Sequence, residues 1–134
     1  MDTEGIKGNR IVYDGAGVNA LTRLDRGVLS QAGVNELIVL EGINDIGWPH
    51  MKPGTEGDPS QLKESPFSAQ LVTANQLIHD LKQIVDRSHE HAIRVFGASL
   101  TPHEGAEYYT EDGEAVRQAV NHWNRSSGAF ESLI

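Results

Sequence analysis

Apolar positions along the chain fall into groups of two different periods. Leu21, Leu24 and Val28 recur at helical spacing within residues 19–30, and Ala32-Gly33 breaks the pattern, so a short amphipathic helix is predicted. Residues 36–40 carry a continuous Leu-Ile-Val-Leu run, the mark of a strand covered on both faces, as in a parallel sheet. From Glu41 to Pro66 the chain is proline- and glycine-rich and holds Trp48; a loop of that length inside a small domain is usually functional or mobile. Ser65-Pro66 reads as an N-cap followed by a proline in the first helical position. Between residues 69 and 91, Leu71, Ala74, Ile78, Leu81 and Val85 form a stripe of period near 3.6, widened by Leu77 and Ile84. Residues 93–98 (IRVFGA) predict a second buried strand, followed by the small-residue stretch GASLTPHEG. Thr110, with Glu111, Asp112 and Glu114 behind it, predicts the start of a last helix whose core face is Val116, Ala119, Val120 and Trp123. Residues 132–134 read as the first residues of a third strand.

Strand, helix, strand, helix, strand is the order of a parallel α/β fold with right-handed crossovers. Such folds bind ligands beyond the carboxyl ends of their strands, which brings IVLEGIND and FGASLTPHEG together at one edge. At 134 residues there is room for one core, so the chain is one small domain or part of a larger one. Its 38% hydrophobic and 22% charged residues, with a mean hydropathy of -0.39, are those of an ordinary soluble globular protein. A net charge of -8 with 11 scattered Lys and Arg argues against a nucleic-acid or anionic-membrane surface. Without cysteine there is neither a disulfide framework nor a thiolate metal site. The opening MDTEGIKGNR has no apolar signal-peptide core, no segment approaches the ~20 apolar residues of a membrane span, and the compartment is left open.

Gly5-Ile6-Lys7-Gly8-Asn9-Arg10 and Gly42-Ile43-Asn44-Asp45 resemble two of the four blocks of the SGNH (GDSL-type) hydrolase family of lipases, esterases and acylhydrolases. The stretches ALTRLDRGVLSQAGVNELIVLEGINDIG and GASLTPHEGAEYYTEDGEAVRQAVNHWNRSSGAF carry the similarity through nearly all of the chain. The resemblance implies a three-layer, flavodoxin-like parallel sheet and a small-molecule ester or acylated substrate, with no cofactor and no metal. It also implies that Gly8, through its backbone N–H, and Asn44, through its side-chain amide, form an oxyanion hole. Arg10 and Asp45 fall beside that site as structural residues, Asp45 holding the loop through backbone hydrogen bonds. Glu41, Trp48, Tyr108 and Tyr109 are candidates to line an acyl or sugar pocket.

The family's serine block precedes its glycine block, and its DxxH block follows the last strand; neither is found at those places here. Relative to the family, the chain is therefore expected to be a single partial domain spanning residues 1–134. Its sheet would be incomplete at both ends, and it would fall roughly 50 to 100 residues short of a complete domain. Asp86-Arg87-Ser88-His89 matches DxxH as text but lies within the long helix. Ser99 and His103 stand at a strand end as a nucleophile and base, without an elbow motif or an orienting acid. His89-Glu90-His91 is read as a solvated helix end, since alternate residues on a helix diverge by about 200°. Plainer readings stand beside the favoured ones: Gly8 as a turn glycine, Arg10 as a surface charge, Asn44-Asp45 as an Asx turn, and the aromatics as core. Two functions are thus carried forward. One is a segment of an ester hydrolase, inactive alone for want of Ser, Asp and His. The other is a non-catalytic paralogue that binds a ligand or self-associates through exposed strand edges.

Overall fold

The computed structural model describes residues 1–51 and 67–134, and its three longer helical segments each begin at a side chain, Asn19, Thr73 or Thr110, that accepts one of the first free amides. Asn19 caps helix α1 (Ala20–Leu24) by accepting from the Thr22 N–H, and the helix continues as a wider π turn over Asp25–Leu29. Leu24 is buried, Leu21 and Val28 pack against the core, and Asp25 pairs with Arg87 at 2.7 Å. Strand β1 (Glu36–Val39) leads through Gly42 into the short helix α2 (Ile43–Gly47) and a 3-10 turn at Trp48–His50. A second 3-10 turn, Ser68–Gln70, precedes α3 (Ala74–Glu90). Strand β2 (Arg94–Gly97), helix α4 (Glu111–Ser126) and strand β3 (Ser132–Leu133) complete the order.

The expected α/β architecture with a parallel sheet is present. The strands run in the order β1-β2-β3, both pairs parallel, with Leu37 opposite Val95, Val39 opposite Gly97 and Gly97 opposite Leu133. These residues share one face of the sheet. Val39, Val95 and Leu133 join Leu77, Leu81, Ile84 and Val85 of α3 and Val120 and Trp123 of α4 in one core, and Phe130 fills the space over Gly97, where any Cβ would stand 2.9 Å from its ring. Successive crossovers running the same way along a sheet place both helices on the same side.

Three expectations are corrected here. The β1 run is not covered on both faces, because Ile38 and Leu40 point away from α3 and α4 and are 52% and 64% exposed. The long helix starts at Ala74, not near Ser65-Pro66. Thr73 caps it with a complete capping box, its hydroxyl accepting from the Gln76 N–H while the Gln76 side chain accepts from the Thr73 N–H, and Leu71 lies outside it, 57% exposed. Ser65-Pro66 itself lies outside the described residues. On α4, Thr110 is the N-cap as expected, but Ala119 is exposed while Asn121 and Asn124 turn inward beside Val120. Among the described residues, no helix is long and apolar enough to cross a membrane.

Candidate active site

Two segments that are distant in sequence meet beyond the carboxyl end of β1. The first is the strap at residues 8–12. Gly8 has a φ of +78°, and a Cβ there would stand 2.9 Å from the Trp48 indole and 3.2 Å from Ala16, so both backbone shape and packing require glycine. Asn9 is buried, donating from Nδ2 to the Val18 carbonyl at 2.9 Å and accepting on Oδ1 from Arg23 at 2.8 Å. Arg10 has no exposed surface, which sets aside its reading as a surface charge. Its guanidinium donates to the Gln70 side chain at 2.6 Å and lies over the rings of Tyr13 and Phe67, 5.1 and 5.8 Å from their centroids.

The second segment is α2. Gly42, with a φ of +121°, turns the chain out of β1, and the next residues sew the helix to the strap. Asn44 donates from Nδ2 to the Asn9 carbonyl at 2.9 Å. Asp45, fully buried, accepts the Ile11 and Val12 N–H groups at 2.8 and 2.9 Å, one on each carboxyl oxygen, with the Arg10 Nε 4.0 Å away. Burial pushes the Asp45 carboxyl up, against the pull of those two amides and of Arg10. Burial likewise holds the Arg10 guanidinium below its usual range, with Asp45 opposing. Glu41, just before Gly42, is pushed up to about 7 by burial and by the Asp45 charge, while Arg23 pulls it back.

A third segment, residues 98–110 after β2, closes over α2. Asn121 holds it at Leu100 by accepting the Leu100 N–H and donating to the Leu100 carbonyl, both at 2.8 Å, and Arg117 donates to the same carbonyl at 2.8 Å. The Tyr108 ring lies so close on Gly47 that an added Cβ would meet it at 2.3 Å. Ile46 packs in the same way against Gly113 in the first turn of α4.

Gly8, Arg10, Asn44 and Asp45 are therefore brought together at the strap, with Trp48 against Gly8 and Glu41 at the entry to α2. Tyr108 reaches α2 from the other side. The Gly8 N–H and the second Nδ2 hydrogen of Asn44 have no partner among the described residues. Other candidates are not brought into this group. Asp86 pairs with Lys82 at 2.5 Å and His89 with Glu131 at 2.7 Å, so neither faces the other. The His91 ring turns to the Arg87 carbonyl instead, at 3.0 Å. Ser99 makes no hydrogen bond to His103, whose two ring nitrogens are both without a partner among the described residues. Sequence reasoning missed Asn9, Gly47, Gln70 and Asn121. Neither Asn121, which lies off the face formed by Val116, Ala119, Val120 and Trp123, nor Gln70 carried a sequence signal.

A comparison with curated proteins returned no match. The model of the GDSL-like Lipase/Acylhydrolase family matches residues 1–133, all but one residue of the chain. With a parallel α/β sheet and a strap tied to the Gly42-Ile43-Asn44-Asp45 turn beyond its first strand, the chain belongs to the GDSL-like Lipase/Acylhydrolase family.

Proposed function

We propose that this chain carries the oxyanion-binding part of an ester hydrolase site, with Gly8 and Asn44 as donors. The observation that carries this reading is the Asn44 to Asn9 hydrogen bond, which fixes an uncharged amide one residue from the Gly8 N–H. Attack on an ester carbonyl develops negative charge on its oxygen, and a fixed donor at that point is worth roughly 3 kcal/mol in the transition state. An amide suits the task because it does not titrate, and a glycine because substrate can come close to its backbone. Asp45 and Arg10 are positioning residues, keeping the strap and α2 in register. Glu41, Trp48 and Tyr108 border the acyl or alcohol pocket.

The nucleophile and its acid–base partners are absent from residues 1–134 in this reading. It is supported by the separate engagements of Asp86 and His89 and by the lack of a Ser99–His103 bond. The 134-residue chain should then hydrolyse p-nitrophenyl acetate and butyrate no faster than buffer. Acetate, a mimic of the charged oxygen, should shift the Gly8 N–H and Asn44 side-chain amide resonances, and Asn44→Ala should abolish the Gly8 shift. Turnover that disappears in Ser99→Ala would overturn the assignment. So would acetate shifts that spare both donors.

A second reading, a non-catalytic product that self-associates, is favoured by one observation. The face of the sheet opposite α3 and α4 carries Ile38, Leu40 and Phe96, and the outer edge of β1 pairs with no described strand.

A further inference from the structure

His103 is the one buried histidine among the described residues. It is 7% exposed, and neither ring nitrogen has a hydrogen-bond partner among the described residues. Its ring stacks on Tyr108, with centroids 5.6 Å apart and planes 18° off parallel, and leans on Tyr109 at 5.2 Å and 59°. Nε2 lies 3.8 Å from where a Cβ on Gly113 would stand, so the first turn of α4 closes the box from below. The charged and titratable groups that face the ring are Glu114 and Arg117 from α4 and the two phenols from its own loop. Glu114 favours the protonated ring and Arg117 opposes it, and because the two are bound to each other at 2.6 and 2.7 Å the ring faces a paired carboxylate and not a lone one. The α2 helix reaches the box through Gly47 on Tyr108 and Ile46 on Gly113.

A box of this kind holds a neutral imidazole at modest cost. An imidazolium in the same place would bring a charge and two N–H donors with nothing to receive them. We infer that the His103–Tyr108–Tyr109 box is a proton-sensitive latch: when His103 gains a proton, residues 101–109 open and Tyr108 leaves Gly47. The latch stands on the packing of this loop and does not depend on the oxyanion reading. Its consequence for the site is direct, because Gly47 belongs to the helix that carries Asn44.

Burial pushes the His103 imidazole down from the ordinary histidine range, in agreement with this geometry. The sign follows. Above about pH 6.5 an exposed histidine is neutral, so the open and closed loops carry the same charge and the closed form keeps its full stability. As the pH falls below that value, the opened His103 takes a proton before the closed one does. The closed form then loses up to tenfold in population ratio for each pH unit, until the closed form protonates as well.

Amide hydrogen exchange on the 134-residue chain, corrected for intrinsic rates, tests this at pH 7.5 and 5.0. The reporting amides are those of Ala106 and Tyr109, which donate to the His103 and Ala106 carbonyls, each at 3.0 Å. Their protection should fall tenfold or more at the lower pH, while Leu81, Ile84 and Val85 in α3 keep theirs. His103→Phe, which fills the box with an uncharged ring, should remove the difference. Imidazole nitrogen NMR of the unmodified chain gives an independent reading should that variant not fold, and His103 should titrate below 6.5. Equal loss in His103→Phe, no loss in the unmodified chain, loss extending into α3, or a His103 midpoint at or above 6.5 would each overturn the latch.

Discussion

Glu41 shows how a single carboxyl can weaken the fold around a site. It is partly buried at the end of β1, and burial together with the Asp45 charge raises it to about 7. In the unfolded chain it ionises near 4.3, so between those values the folded state holds the proton more tightly. Below about pH 4 both states are protonated and nothing is lost; as the pH rises from about 4 to about 7 the folded state loses stability, and above that the loss is complete. Glu41→Gln should therefore leave stability unchanged at pH 4 and raise it at pH 8, by about 1–2 kcal/mol once partial exposure is allowed for. Urea titrations at the two pH values measure it, and an equal gain at both would show that the charge is not responsible. The residues of this neighbourhood were unequally legible in the sequence. The glycine block and the GIND turn stand out by composition, and Glu41 by its place at the end of an apolar run. The receiver of the Asn44 amide is a backbone carbonyl, that of Asn9, and backbone acceptors have no sequence signature.

Helix α3 is the element whose period was plainest and whose start was misplaced. Ser65-Pro66 offers a cap and a proline, but the helix begins within the predicted stripe at Thr73, which stands three residues before a glutamine that reaches back. Thr73→Ala should cost about 1 kcal/mol in thermal or urea unfolding, and Thr73→Ser should restore most of it. A loss of the same size in Thr73→Ser would mean that the threonine methyl, not the cap bond, stabilises the turn. The strands teach a different lesson. A continuous apolar run shows that a strand can be buried on both sides, but which faces are covered depends on where neighbouring helices pass. Leu37 and Val39 meet the core, whereas Ile38 in the same run is 52% exposed. Helix α4 departs in the opposite direction, since Asn121, off the predicted apolar face, is drawn inside to hold the Leu100 backbone while Ala119 on that face is exposed.

At the scale of the molecule, one face of the sheet carries exposed apolar side chains. Parallel sheets are ordinarily covered on both sides, and here Ile38 and Leu40, with Phe96 beside them, form an apolar surface on the side away from α3 and α4. Full burial of such a side chain is worth roughly 1.5–3 kcal/mol, so a second copy seated on this face would be held by a small number of contacts. A net charge of -8 on each copy opposes that approach, and salt screens the repulsion over about 10 Å at 0.1 M. If the self-associating reading holds, sedimentation should show a monomer–dimer equilibrium that shifts toward dimer as salt is raised from about 0.05 to 0.5 M, the Debye length shortening several-fold. The double variant Ile38→Thr, Leu40→Thr places β-branched residues at both positions but removes the apolar contact, so it should remain monomeric at both salt concentrations with an unchanged circular dichroism spectrum. Its charge equals that of the parent chain, so any difference between the two reports the apolar face alone. A parent chain that stays monomeric at both ionic strengths would eliminate self-association through this face, and would leave the oxyanion-binding segment as the reading to pursue.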